Sequence, residues 1–101
     1  MDKTLQYMVD FTLPFYLDQQ FVDLIPQQRI KVNKYFLNGQ LVNYVLSLEK
    51  SKLWAILNVD TRDEVLDIIQ DFPLTKFMKY RIYPLTFNQT INSRVPSFSL
   101  N

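Results

Sequence analysis

LVNYVLSLEKSKLWAILNV, residues 41–59, decides the fold of this chain. Two apolar runs, Leu41–Leu48 and Leu53–Val59, flank the polar joint Glu49-Lys50-Ser51-Lys52. A short polar joint between two strand-like runs predicts a β-hairpin, and no Asn-Gly pair prescribes its turn type. In the first run, alternation puts Val42, Tyr44, Leu46 and Leu48 on one face and Leu41, Asn43, Val45 and Ser47 on the other. The second run differs, because Leu53, Trp54, Ala55, Ile56 and Leu57 are apolar toward both faces. A strand apolar in both directions is expected to be buried in both directions. Helices on one side of the sheet leave the other side to be covered. A second copy of the same sheet would do so, which predicts a homodimer or larger ring. The alternative is a monomer whose tail folds over the open face.

Upstream of the hairpin, Leu5, Tyr7, Val9, Phe11 and Leu13 alternate with Gln6, Met8, Asp10 and Thr12, marking a first strand that Pro14 stops. Asp18 is placed to cap a helix whose stripe is Phe21, Ile25, Gln28, Val32 and Tyr35. Pro26 inside that stripe predicts either a kink or a helix that begins there, and Gly39 supplies the left-handed cap that ends it. Downstream, Thr61 and Glu64 form a capping box. The helix it opens turns Val65, Leu66, Ile68, Ile69 and Phe72 inward and closes at Pro73. A last strand runs near Lys79–Leu85. The order strand-helix-strand-strand-helix-strand predicts an α+β fold, a ferredoxin-like βαββαβ sandwich. Its four-stranded antiparallel sheet would carry two helices on one face. Residues 1–87 would form this domain, and the apolar residues of the tail, 88–101, suggest docking on a neighbouring subunit.

Composition excludes much chemistry. The 101 residues include no cysteine and no histidine, so thiolate or imidazole metal sites and Ser–His or Cys–His catalytic pairs are out. One glycine is too few for a phosphate-cradling loop or a dinucleotide fingerprint, and no cofactor or metal is expected. A formal charge of +1 is too balanced for a general polyanion binder. No apolar run approaches the roughly 20 residues of a membrane span. The amino terminus lacks the pattern of a signal peptide, so Asn88-Gln89-Thr90 is read as a chance glycosylation match in a cytoplasmic protein. Lys76, Lys79 and Arg81 interleave with Phe77, Tyr80 and Tyr83, a mixture also met in RNA-binding modules of this fold. The third strand lacks the glycine and paired aromatics of that module, and no nucleic-acid partner is expected.

Four aromatic residues with polar handles or edges, Tyr7, Tyr35, Tyr44 and Trp54, suit a flat, partly oxygenated small ligand, although core packing more often explains such residues. Gln28 lies on the apolar helix stripe, where an amide needs buried partners. It is a ligand-binding group, a satisfied core amide, or a group that a rotated helix lets reach water. Asp10, on the more polar face of the first strand, is either a proton shuttle with a raised pKa or half of an ion pair, with Arg81 as its candidate partner.

From Leu13-Pro14 through Gly39, Asp63-Glu64, Asp67, Ile68-Ile69, Phe72-Pro73-Leu74-Thr75-Lys76-Phe77-Met78, Ile82 and Pro84-Leu85, the chain resembles the muconolactone isomerase family. These are small ferredoxin-like proteins that assemble into closed rings. The resemblance spans roughly residues 5–87. It implies binding of a carboxylated or lactone metabolite, and cofactor-free transfer of a proton between its carbons. That chemistry wants a base, a group that stabilises an enolate and a cation for the carboxylate. The resemblance also exposes departures. The family's arginine and histidine after the glycine are replaced in the stretch holding Val42, Asn43 and Leu46, and its acid on the first helix appears as Gln28. Asp10 remains as a matching acid in the first strand. Two functions follow as expectations. One is an isomerase with Asp10 as shuttle, Tyr35 and Gln28 orienting oxygens, and Arg81 as carboxylate anchor. The other is a non-catalytic homo-oligomeric ligand-binding or assembly module.

Overall fold

The computed structural model of the protein describes residues 6–89. Its strands are β1 (Gln6–Thr12), β2 (Leu41–Ser47), β3 (Lys52–Asn58) and β4 (Lys79–Leu85), and its helices are α1 (Gln19–Asp23), α2 (Ile25–Leu37) and α3 (Arg62–Gln70). A short 3₁₀ turn, Thr75–Phe77, lies in the Pro-Leu loop before β4. All pairings are antiparallel, in the order β2-β3-β1-β4, which is the ferredoxin-like arrangement expected from the sequence. Leu5 and residues 90–101 of the tail, with the docking expected of it, lie outside the described residues. Among the described residues no helix is long and apolar enough to cross a membrane.

Local chemistry explains the helix boundaries. The Asp18 carboxylate accepts from the Phe21 amide at 3.0 Å and starts α1. Pro26 sits in the first turn of α2, where its missing N–H costs nothing, and the apolar stripe is thereby divided between two helices. Phe21, Gln28, Val32 and Tyr35 are all buried along it. Gly39, with φ +83°, takes the left-handed conformation after the helix. Thr61 and Glu64 make both bonds of the capping box of α3. Pro84 is tolerated because β4 is an edge strand, with no strand on its far side among the described residues.

The hairpin departs from simple alternation at one point. Leu41 pairs with Leu57 and Asn43 with Ile56, so a bulge at Val42 adds one residue to β2. That extra residue returns Leu41 to the face of Tyr44 and Leu46, where Leu41 is only 1% exposed. Strict period two had put Leu41 on the opposite face. Burying a leucine outweighs the lost regularity. The turn that joins the strands uses Ser51 at φ 56°, a position that glycine usually fills.

One hydrophobic core lies between the sheet and the helices. Val9 and Phe11 of β1, Leu53, Ala55 and Leu57 of β3, Val65 and Ile69 of α3, and Phe72 form its centre. The other sheet face can be read row by row from the register. One row is Val45, Trp54, Asp10 and Arg81, and its neighbours are Asn43, Ile56, Met8, Tyr83 and Ser47, Lys52, Thr12, Lys79. Among the described residues no helix covers these rows, and Trp54, Ile56 and Met8 are only half-buried.

Candidate functional site

The helical layer does not fill the whole space over the sheet. A cavity of about 600 Å³ remains between α1, α2 and the hairpin end of the sheet, with the Pro-Leu loop closing one side. Phe21, Ile25 and Val32 come from the helices, Leu13, Leu46 and Leu53 from the sheet side, and Leu74 and Met78 from the loop. Its size falls in the range of small-molecule pockets, and its walls are mostly apolar, as theirs are.

The polar groups of this cavity form a short chain. The Gln28 amide nitrogen donates to the Tyr44 hydroxyl at 2.9 Å, and its carbonyl oxygen accepts from the Leu74 amide at 3.0 Å. Gln28 is 4% exposed and both ends of its amide are used, so it is a satisfied core amide that also positions Tyr44. Because Tyr44 accepts from Gln28, its own proton has no protein acceptor among the described residues. Burial raises the Tyr44 pKa, with the Gln28 bond opposing that shift. The phenol is therefore protonated near pH 7. Arg29 and Asn33 lie on the cavity side of α2, and Arg29 makes no ion pair among the described residues. Sequence inspection had passed over both. Their spacing of four, continued by Phe36 three residues on, was the available signal.

The other residues singled out from the sequence go elsewhere. Tyr35 is buried against α3, donating to Asp71 at 2.9 Å, and its pKa is pushed up to about 12 by burial first and by that carboxylate second. The Tyr35 bond is also the main reason that the Asp71 carboxyl lies below its ordinary range, with Lys31 and Lys34 helping and partial burial opposing. Tyr7 packs on the core near β4, away from the cavity lining, and Trp54 lies on the uncovered sheet face. Of the four aromatic residues, only Tyr44 lines the cavity.

Asp10 and Arg81 are brought together, on the opposite side of the sheet from Gln28 and Tyr44. They share a polar hollow of about 370 Å³ with Thr12, Lys52, Lys79 and Tyr83. Asp10 faces Arg81 in register, yet its ion pair is with Lys52, 3.2 Å from Oδ1. The expected Asp10–Arg81 pair is thus corrected to Asp10–Lys52. Within one chain Asp10, Gln28 and Tyr35 are not brought to a single centre. Alternate residues of β1 point to opposite faces, and the sheet lies between Asp10 and Gln28. In the basic-aromatic stretch, Lys79, Arg81 and Tyr83 face the hollow, and Tyr80 borders it while its ring packs edge-on to Phe11 at 6.1 Å.

The family model for muconolactone delta-isomerase matches residues 5–89. The chain belongs to the muconolactone delta-isomerase family. The match covers every strand and helix described above, together with the Pro-Leu loop that supplies Leu74 and Met78 to the cavity. Comparison with curated proteins gives no match.

Proposed function

We propose that this muconolactone isomerase family member binds a small carboxylated or lactone-type metabolite in the apolar cavity without moving a proton there. One observation carries this reading. Among the residues lining the cavity, none is an acid, a histidine or a lysine, and the only ionisable groups are Arg29 and Tyr44. An arginine stays protonated and a phenol of raised pKa stays neutral, so no lining group can act as base. What remains is recognition. The Tyr44 proton suits a carbonyl oxygen, Arg29 suits a carboxylate, and the leucine and phenylalanine walls suit an apolar body.

The test is proton NMR of the protein with muconolactone in deuterated buffer. The expected result is saturable shifts at Tyr44, Gln28 and Leu74 without isomerisation or deuterium uptake. Isomerisation above the buffer rate would overturn the reading. Proton transfer is the second reading, favoured by Asp10 lying next to Arg81 in the polar hollow, and it requires turnover that Asp10→Asn abolishes.

Self-association belongs to the same proposal. Val45, Trp54, Ile56 and Met8 form an apolar patch on the uncovered sheet face, and a second copy of that face is the cover it fits. Sedimentation should give at least a dimer. A monomer at micromolar concentration would overturn this part.

A further inference from the structure

The polar hollow on the uncovered sheet face has no part in the cavity reading, and its charges do not balance. Lys52, Lys79 and Arg81 face it, against one carboxylate, Asp10. The Asp10 charge is already engaged. Lys52 Nζ lies 3.2 Å from Oδ1 and donates to Oδ2 at 3.4 Å and to the Thr12 hydroxyl at 3.0 Å. Lys79 and Arg81 have no carboxylate within ion-pair distance among the described residues. The register explains why they converge. Lys79 lies beside Thr12 and Arg81 beside Asp10 on β4, while Lys52 flanks Thr12 from β3. Same-face neighbours along a strand are about 7 Å apart and adjacent strands about 5 Å, so the three cations surround one spot over β1. Tyr83, one step further along β4 on the same face, adds a hydroxyl at the edge of the hollow.

We propose that this hollow is a binding site for a compact oxyanion, held by Arg81 and Lys79 with Lys52 as the third cation. Arginine offers a planar fork of donors that matches the oxygens of a carboxylate or phosphate, and lysine adds a point charge. The site is separate from the apolar cavity, since the sheet lies between them, and either can fail without the other.

Titration of the full chain with inorganic phosphate, and separately with succinate, at constant ionic strength tests this by ¹⁵N-resolved NMR. The expected result is saturable shifts at Thr12, Lys52, Lys79 and Arg81 with one or both probes, the tighter probe naming the source as phosphate or carboxylate. Arg81→Gln and Lys79→Gln should each weaken binding roughly tenfold or more, as loss of a charge-assisted bond does. Both side chains are exposed, so thermal melting should show the fold unchanged. Asp10→Asn, which removes the one negative charge, should tighten binding. Linear shifts that chloride reproduces would overturn the proposal. So would saturation indifferent to Arg81→Gln, or a hollow closed by a second copy whose mass and spectrum ignore both anions.

Discussion

The two hollows of this protein are cut into opposite faces of the same four strands and differ in almost every chemical respect. One lies under helices, is walled by leucine, phenylalanine and methionine, and holds its only interior amide fully bonded. The other lies on the uncovered face and is walled by lysine, arginine, tyrosine and one aspartate. Neighbouring residues supply the two, Leu13 and Leu53 lining the one and Thr12 and Lys52 the other. A single alternating strand can therefore build a recognition surface for an apolar body and another for charge, provided that something dry covers only the first.

The contrast predicts unequal consequences of mutation. Phe72 is 2% exposed and meets the rings of Tyr35 and Tyr44 edge-on at 5.8 and 6.5 Å. Phe72→Ala should cost about 3–5 kcal/mol in urea unfolding. Trp54→Ala on the uncovered face should cost far less per protomer and register instead as lower sedimenting mass. An equal loss of protomer stability from both changes would break the comparison.

Gln28→Leu comes next. It leaves the buried Leu74 amide without an acceptor, so about 1–3 kcal/mol of stability should go, together with ligand-induced shifts at Tyr44. Gln28→Glu sharpens the point from the other direction. It restores an acid where the family resemblance places one, and should be the substitution that introduces detectable deuterium exchange from a lactone acid. No exchange would mean that more than one group of the reaction is missing.

The Tyr35–Asp71 bond clips α2 to the end of α3 on the covered side and gives a pH signature. The folded pKa of Tyr35, about 12, lies above its unfolded value near 10. Its contribution is therefore complete below pH 10 and is lost as pH rises toward about 12. Asp71 has the opposite sign, because its folded pKa is lowered, and its contribution disappears as pH falls through the carboxylate range. Tyr35→Phe should lower stability by about 1 kcal/mol at pH 7 and flatten the alkaline limb of the melting-temperature profile. The smallest effect is expected at the polar hollow, where Asp10→Asn should change stability by about 1 kcal/mol or less. A large loss there would show that the Asp10–Lys52 pair supports the fold rather than a ligand.

Much of this was legible before any coordinates. Period-two alternation in β1, the Thr61–Glu64 capping box, Pro26 in a first helical turn and Gly39 after it are local signals, and local backbone chemistry was enough to place them. Gln28 on an apolar stripe stood out for the same reason, with its burial left to the packing. The partners of these groups were a different matter. Whether Gln28 meets Tyr44, whether Asp10 pairs with Arg81 or Lys52, and which aromatic residue reaches the cavity depend on strand register and on the bulge at Val42, which one residue of slip would change. The sequence by itself determined the strands, their order and most of each apolar face, Leu41 excepted, because those follow from contacts within a few residues. Only the tertiary structure decided that Asp10 and Gln28 lie on opposite sides of the sheet. It also separated an apolar cavity and a charged hollow on the two faces of one sheet, because side chains distant in sequence meet only once the strands are paired.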